Sequence, residues 1–373
     1  MKIAIHAADL DHSRIDGTRV YILNMLKNFG MIAPDDRFFI YHRTNFNSQL
    51  APPESDNYLF RKNGAPFSWT QTRFAFDVWC DKPDVLWMPM HNMPLLRRSS
   101  LKTVMTVHDL AFKSFPQYFP KKDLRRLNML ADYSIGCADK LIAVSQSTKN
   151  DILKFYPKRK ESEIKVIHHG FDGTLFSEND SSINLNFEFV AKTYNLKPRT
   201  YILYVGAIQP RKNLEVLVAA FDKMKTDYPE LKLVIAGEKA WMWEGVLEKI
   251  KKSPNREDII ITGTLPFEIV TVLYRNAALF VFPSLYEGFG IPILEAFASG
   301  VPVICAHNSS LTEVGGDAAM YFETQSENDL YEKISQVLSE PQIRKDMIEK
   351  GKKRLESFSW KKSAQETLDW LKY

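Results

Sequence analysis

Phe282-Pro-Ser-Leu-Tyr-Glu287-Gly288-Phe289-Gly290-Ile291-Pro292-Ile293-Leu294-Glu295-Ala296 is the stretch from which the fold is read. It leaves an apolar strand at Phe282, passes two glycines one residue apart, and enters a helix with Pro292 in the first turn, where a missing N–H costs nothing. A glycine-bearing strand-to-helix turn belongs to a parallel α/β sheet. It gathers backbone N–H groups and the positive end of a helix dipole at one point, which makes an anion site. Glu287 stands at the lip of this turn and Glu295 near the end of the first helical turn, so the two carboxylates need not act as a close acid/base pair. By themselves Gly288 and Gly290 could serve only a tight turn, because their spacing fits neither the GxGxxG dinucleotide fingerprint nor the GxxxxGK[ST] phosphate loop.

A second strand-to-helix turn is Tyr201-Ile-Leu-Tyr-Val205-Gly206-Ala-Ile-Gln-Pro210-Arg211-Lys212-Asn213-Leu214. It puts adjacent cations at the carboxyl end of a buried strand, where open α/β sheets bind ligands. A bidentate guanidinium beside a compact ammonium suits a diphosphate, although an isolated Arg-Lys pair is more often a solvated loop.

Outward from these turns, short β-branched runs alternate with stretches of helical period. The expected strands are Lys2–His6, Arg37–Tyr41, Asp84–Met88, Thr103–Val107, Lys140–Val144 and Lys165–His168 in the first half. In the second half they are Tyr201–Val205, Lys232–Ala236, Asp258–Thr262, Leu279–Pro283 and Val301–Cys305. The polar run from Ser177 to Asn184 reads as a linker. A single core stops growing near ~250–300 residues, so this chain of 373 residues is expected to form two α/β domains, residues 1–178 and 185–357. Residues 358–373, with aromatic Phe358, Trp360, Trp370 and Tyr373 and with Ala364, Leu368 and Leu371 at helical spacing, read as a terminal helix packed on a core.

Composition narrows the function classes. With 45% hydrophobic and 25% charged residues the chain is neither disordered nor low-complexity. Cys80, Cys137 and Cys305 are far apart and outside any CxxC spacing, which argues against a disulfide framework and a structural zinc. No apolar run approaches the ~18 residues of a membrane span, and the first apolar stretch is too short for a signal peptide, so a cytoplasmic location is expected. Residues 1–183 carry 25 Lys+Arg against 20 Asp+Glu, while the remainder carries 24 against 25. That imbalance is too weak to argue for nucleic acid, yet it leaves room for an anionic surface or substrate on the first half.

Together, the Gly206/Arg211-Lys212-Asn213 turn and Glu287-Gly-Phe-Gly with a second glutamate eight positions on resemble the retaining glycosyltransferases of family 4. Further matches are Gly17 with its following helix, Val107-His108-Asp109, Ala143-Val-Ser145, His169-Gly170, Gly263-Thr-Leu265 with Leu273-Tyr274, Glu313-Val-Gly315, and Phe358-Ser-Trp360. The resemblance implies the GT-B architecture: two facing Rossmann-like domains with parallel sheets, the C-terminal helix 358–373 packing back on the N-terminal, acceptor-side domain. It implies that Arg211 and Lys212 hold the donor diphosphate, that Glu295 binds the ribose hydroxyls and that Glu287 faces the donor sugar. The amides of Gly288, Phe289, Gly290 and Ile291 would reach sugar hydroxyls and phosphate. Thr264 and Leu265 would meet the base, Gly17 and Gly206 would approach the donor, and His108 would touch the hexose and the reaction centre. The implied activity is transfer of a hexose, mannose from GDP-mannose as the first choice, from a nucleotide diphosphate sugar to a saccharide or lipid-linked saccharide in surface polysaccharide synthesis.

The departures matter. Gly17 is followed by Thr18 where the family often has a second glycine, and His169 replaces an asparagine. Asp9-Leu-Asp11 is formally the DxD of the other major glycosyltransferase fold, but it sits directly behind the first strand and reads as a polar loop, so neither a metal nor another cofactor is expected. From Phe112 to Arg126, aromatic residues mix with Lys113, Lys121, Lys122, Arg125 and Arg126. The stretch is either a helix entrance with solvated charges or a peripheral contact with an anionic membrane. The rival readings are a nucleotide-sugar 2-epimerase of the same architecture and a non-catalytic sugar-nucleotide-binding subunit; the intact Arg-Lys-Asn and two-glutamate motifs speak against both.

Overall fold

The computed structural model describes residues 1–65, 67–173 and 182–372, and the chain divides into two compact units. One comprises Met1–Ser114, Lys121–Gly170 and Phe358–Tyr373, and the other comprises Phe115–Pro120 and Phe171–Ser357. Residues 177–181 of the expected linker, and Tyr373, lie outside the described residues; a helix, Ser182–Tyr194, follows.

The first unit is built on seven strands: β1 (Lys2–His6), β2 (Arg37–His42), β3 (Tyr58–Lys62), β4 (Val85–Met88), β5 (Lys102–Val107), β6 (Lys140–Ala143) and β7 (Ile164–Val166). They lie in the order β3-β2-β1-β4-β5-β6-β7, every pair parallel. The second unit repeats the plan with β8 (Tyr201–Val205), β9 (Lys232–Ala236), β10 (Ile259–Gly263), β11 (Leu279–Phe282), β12 (Val303–Ala306) and β13 (Ala319–Phe322), ordered β10-β9-β8-β11-β12-β13 and parallel throughout. In each sheet the order runs outward from the first strand and restarts on its other side with the fourth. The loops there diverge and leave a crevice at the carboxyl ends, between β1 and β4 and between β8 and β11.

The central strands are continuous apolar runs because helices cover both faces; every residue of β4 and of β11 is buried. Of the four edge strands, β7 and β10 are among those expected from the sequence, while β3 and β13 escape such a reading. In β3, Leu59 and Phe60 are each 37% exposed and the strand ends in Arg61 and Lys62, while only Phe322 of β13 is fully buried.

The first unit is closed by both ends of the chain. Helix Gly17–Ile32 buries Tyr21, Ile22, Met25, Leu26 and Phe29 on the sheet, and helix Trp360–Leu371 lays Trp360, Ala364, Leu368 and Leu371 into the same core. Ser359 caps the latter by accepting from the Lys362 amide, Ser363 Oγ donates to the His168 carbonyl at 2.5 Å, and Trp370 Nε1 donates to the Leu141 carbonyl at 3.1 Å. Gly170 has no room for a side chain, since a Cβ there would stand 2.0 Å from the Trp360 amide nitrogen.

Candidate active site

In the second unit the crevice between β8 and β11 brings both signature turns together. After Gly206 the chain forms a short 3₁₀ turn, Pro210–Lys212, and the Leu285 amide from the neighbouring loop donates to the Arg211 carbonyl at 2.9 Å. Glu287 lies between the cations: Lys212 Nζ donates to its Oε1 at 2.5 Å, and Arg211 Nη1 stands 3.5 Å from its Oε2 while also donating to the Tyr286 carbonyl. Arg211 and Lys212 are only 8% and 9% exposed, so neither is the solvated pair that an isolated Arg-Lys dipeptide suggests. Burial works against the Glu287 carboxylate, yet Lys212 and Arg211 outweigh it and hold its pKa below the ordinary value. Two cations around one carboxylate leave the crevice with a net positive charge, suited to an anion that displaces or shares the Glu287 contacts.

The loop carrying Glu287 is tied from below by residues with no sequence signal. Ser310 Oγ lies 2.9 and 2.6 Å from the Glu287 and Phe289 carbonyls, between which its one hydrogen is shared, and the Glu287 amide donates to Ser309 Oγ at 3.1 Å. Of the two glycines only Gly290 has a left-handed backbone, with φ 120°; Gly288 does not. Gly290 opens helix Ile291–Ala298, which has no side-chain cap; Pro292 has no N–H and the Ile293 amide donates to the Gly290 carbonyl at 3.0 Å, so an anion there would meet the Ile291 amide and the positive end of the dipole. Asn213, itself at φ 55°, donates through Nδ2 to the carbonyls of Pro283 and Thr324 at 3.0 and 2.7 Å. It fastens the first turn to the second, which makes it a scaffold residue here.

Glu295 lies where the sequence implied, in the first turns of the helix beyond Gly290, and Tyr274 Oη donates to its Oε2 at 2.9 Å. Burial raises its pKa to about 7, against a smaller opposing effect of the Tyr274 bond. The folded protein therefore binds a proton that the unfolded chain releases near pH 4.3, and stability falls as pH rises from about 4.3 to about 7. Glu295→Gln removes this loss. Urea melts are expected to show the variant about 1–3 kcal/mol more stable than wild type at pH 8, with the gap closing by pH 4.5. An equal difference at both pH values would refute the shift.

Gly206 and Gly237 follow β8 and β9, Gly263 ends β10, and the three bring their chain segments into contact: the Gly206 amide donates to the Ala236 carbonyl at 2.9 Å and the Gly237 amide to the Gly263 carbonyl at 3.0 Å. Thr264, exposed, and Leu265, half-buried, follow β10 two strands from β8.

Gly17 and His108 belong to the first unit, and this set to the second. Gly17 starts its helix under Asp16, which accepts from the Arg19 amide at 3.2 Å, so a carboxylate already caps that helix end. His108, at the end of β5, has Nε2 2.9 Å from the Pro89 carbonyl, which can only accept; Nε2 therefore carries the proton and Nδ1 is the ring's acceptor. Burial lowers its pKa, against the Pro89 bond and Asp109, so the ring is neutral at pH 7. His91, which no motif flagged, follows β4 at the switch point and is held to about 4 by burial and by His108. His169 is 4% exposed and stacks on Tyr21 at 4.8 Å and on Trp360 at 5.9 Å: it is a packed core residue. Asp11 Oδ2 accepts from the Arg43 and Thr44 amides at 2.8 and 2.7 Å, a loop clamp.

Phe112 is buried, while Lys121, Lys122, Arg125 and Arg126 are exposed on the opening turns of helix Lys121–Cys137, where the dipole disfavours cations. Met129 on the same helix is 66% exposed. Arg97 Nη1 donates to Tyr133 Oη at 2.9 Å and so ties to this helix the loop of Leu95 and Leu96, 67% and 59% exposed. Among the described residues no helix is long and apolar enough to cross a membrane.

Residues 186–354 match the family model described as Glycosyl transferases group 1, and residues 29–174 match Glycosyltransferase Family 4. The chain is 29% identical over 277 residues to O-antigen chain mannosyltransferase B of Escherichia coli, covering 73% of this chain and 70% of that one. It is 25% identical over 283 residues to O-antigen chain mannosyltransferase RfbU of Salmonella typhimurium, covering 75% and 71%. In fold it is similar to Anabaena HepE, solved with UDP and glucose, at a TM-score of 0.75 and 16% identity over 100% of this chain and 99% of that one. It is also similar to WaaG, a glycosyltransferase involved in lipopolysaccharide biosynthesis, at a TM-score of 0.71 and 15% identity over 99% of both chains.

Proposed function

Because the chain belongs to the group 1 glycosyltransferases of GT-B architecture, we propose that it transfers mannose from GDP-mannose to a saccharide or lipid-linked saccharide acceptor in surface polysaccharide synthesis, with retained anomeric configuration and without a metal. The observation that carries the donor assignment is the Arg211–Glu287–Lys212 cluster beside an uncapped helix N-terminus. Those groups meet the charge of a leaving diphosphate where it develops. Glu295 takes the ribose hydroxyls, and Thr264 and Leu265 the base. The two O-antigen mannosyltransferases among the relatives support mannose and a polysaccharide acceptor.

One reaction tests the finer points. With GDP-mannose, a short mannose-containing acceptor and excess EDTA, followed by proton NMR, the first product is expected to keep the α configuration of the donor. Activity abolished by EDTA would overturn the metal-free reading, an inverted coupling would overturn retention, and turnover confined to UDP-hexoses would overturn the donor.

A peripheral contact with anionic lipid belongs to the same proposal. It is supported by cations placed against the helix dipole on the helix that carries the exposed Met129 and to which Arg97 and Tyr133 tie the loop of the exposed Leu95 and Leu96. Wild type is expected to sediment with phosphatidylglycerol vesicles, and charge reversal at Lys121, Lys122, Arg125 and Arg126 to abolish this; a wild type that stays in the supernatant sinks the idea.

A further inference from the structure

Tyr274 has no role in the assignments above, yet it is fully buried and reaches the site through its hydroxyl. It stands on helix Phe267–Asn276 with its ring 5.3 Å from that of Phe280 in β11, and its Oη lies 3.5 Å from the Pro292 carbonyl and 2.9 Å from Glu295 Oε2. The phenol is thus pressed against the first turn of the helix that carries the carboxylate. We propose that Tyr274 is a positioning residue for the nucleotide: its hydroxyl, donating to Oε2, fixes the orientation and the acceptor form of the Glu295 carboxylate on which the ribose diol docks. This rests on the ribose assignment of Glu295, and the test below separates the two.

The chemistry is one of lone pairs. An ionised carboxylate offers about four acceptor sites, of which Tyr274 uses one, leaving enough for two ribose hydroxyls. A neutral carboxyl carries an O–H of its own and accepts less well, so the diol contributes to binding only where Glu295 is ionised. Burial opposes ionisation and the Tyr274 bond favours it. Tyr274 itself stays a phenol, because burial and the neighbouring Glu295 hold its pKa well above the ordinary value. Behind it stands Tyr204 of β8, buried, with its Oη donating to the Ala207 carbonyl at 3.1 Å and with Glu287 and Arg211 acting on it from the adjoining loops. Removing the Tyr274 hydroxyl therefore takes away the hydrogen bond that favours the charged form of Glu295.

The experiment compares the affinity of UDP and GDP with that of their 2′,3′-dideoxy counterparts between pH 5.5 and 9. The phosphates titrate alike within each pair, so the ratio isolates the diol. In wild type the ratio is expected to rise about tenfold through pH ~7 and level off, the size of a charge-assisted hydrogen bond. Tyr274→Phe should reach the same plateau with its midpoint about one pH unit higher, which makes the ratio several-fold lower at neutral pH, while Glu295→Gln should give a flat ratio. A uniform drop at every pH, or no change, would show Tyr274 to be packing alone. Carbon NMR of glutamate-labelled protein without nucleotide, with Glu295→Gln identifying the resonance, reads the midpoint directly. If the wild-type ratio rises with pH but Tyr274→Phe does not move the midpoint, the Tyr274 proposal falls and the ribose assignment stands. If the midpoint moves but the wild-type ratio is flat, the ribose assignment falls and the positioning role falls with it.

Discussion

Lys212→Ala is expected to lower kcat on the order of 10²–10³-fold, the cost of removing one donor from a site where anionic charge develops. It is also expected to cost about 2–4 kcal/mol of stability, because Glu287 is left buried with Arg211 3.5 Å away as its remaining cation. The two losses can be told apart. Lys212→Ala combined with Glu287→Gln removes the stranded charge, so urea melts should recover most of the stability while turnover stays low. Turnover unchanged in folded Lys212→Ala, or restored in the double variant, would take Lys212 out of the mechanism.

Gly237→Ala is expected to be the most damaging single methyl in the second unit. Its Cβ would stand 2.0 Å from the Gly206 carbonyl oxygen, a backbone atom that cannot swing aside, and φ at Gly237 is +156°. The methyl has to push apart the ends of β8 and β9, which carry the turn holding Arg211 and Lys212. A loss of more than about 3 kcal/mol is expected, with weakened nucleotide binding in whatever remains folded. Gly263→Ala is the control: φ there is +71°, but a Cβ meets open space, so the cost should be the backbone strain alone, about 1–2 kcal/mol. Equal losses in the two variants would mean that strain and not the close approach governs this corner.

The parts of the fold legible in the sequence share one physical property. Strands such as β1, β8 and β11 are covered on both faces and so appear as apolar runs; at the sheet edges β7 and β10 still show through short β-branched runs, whereas β3, which ends in Arg61 and Lys62, and β13, with Phe322 as its one buried residue, keep exposed or intermediate positions and blend into their surroundings. Arg211, Lys212, Glu287 and Glu295 stand out in the sequence because they occupy strand-to-helix turns. That the cations are buried, with Glu287 between them, depends on how the β8 and β11 loops meet, and composition carries no trace of that. Ser310, Tyr274 and His91 went unread as site residues for the same reason. Each acts through a partner distant in sequence, and a serine, a tyrosine on a helix or a histidine after a strand has many ordinary places to be. The pair of glycines also divides once the backbone is seen, since only Gly290 uses a conformation that favours glycine.

The chain's return to its starting unit has a consequence for biosynthesis. The second unit is nested in the sequence inside the first, whose core lacks Trp360, Ala364, Leu368 and Leu371 until the last segment has been made. Domains fold during synthesis in the order they emerge, but here the earliest to emerge is the last to be completed. A nascent chain stopped before residue 358 would display an apolar floor along helix Gly17–Ile32, a surface on which chaperones and proteases act, while the unit made after it could already be closed.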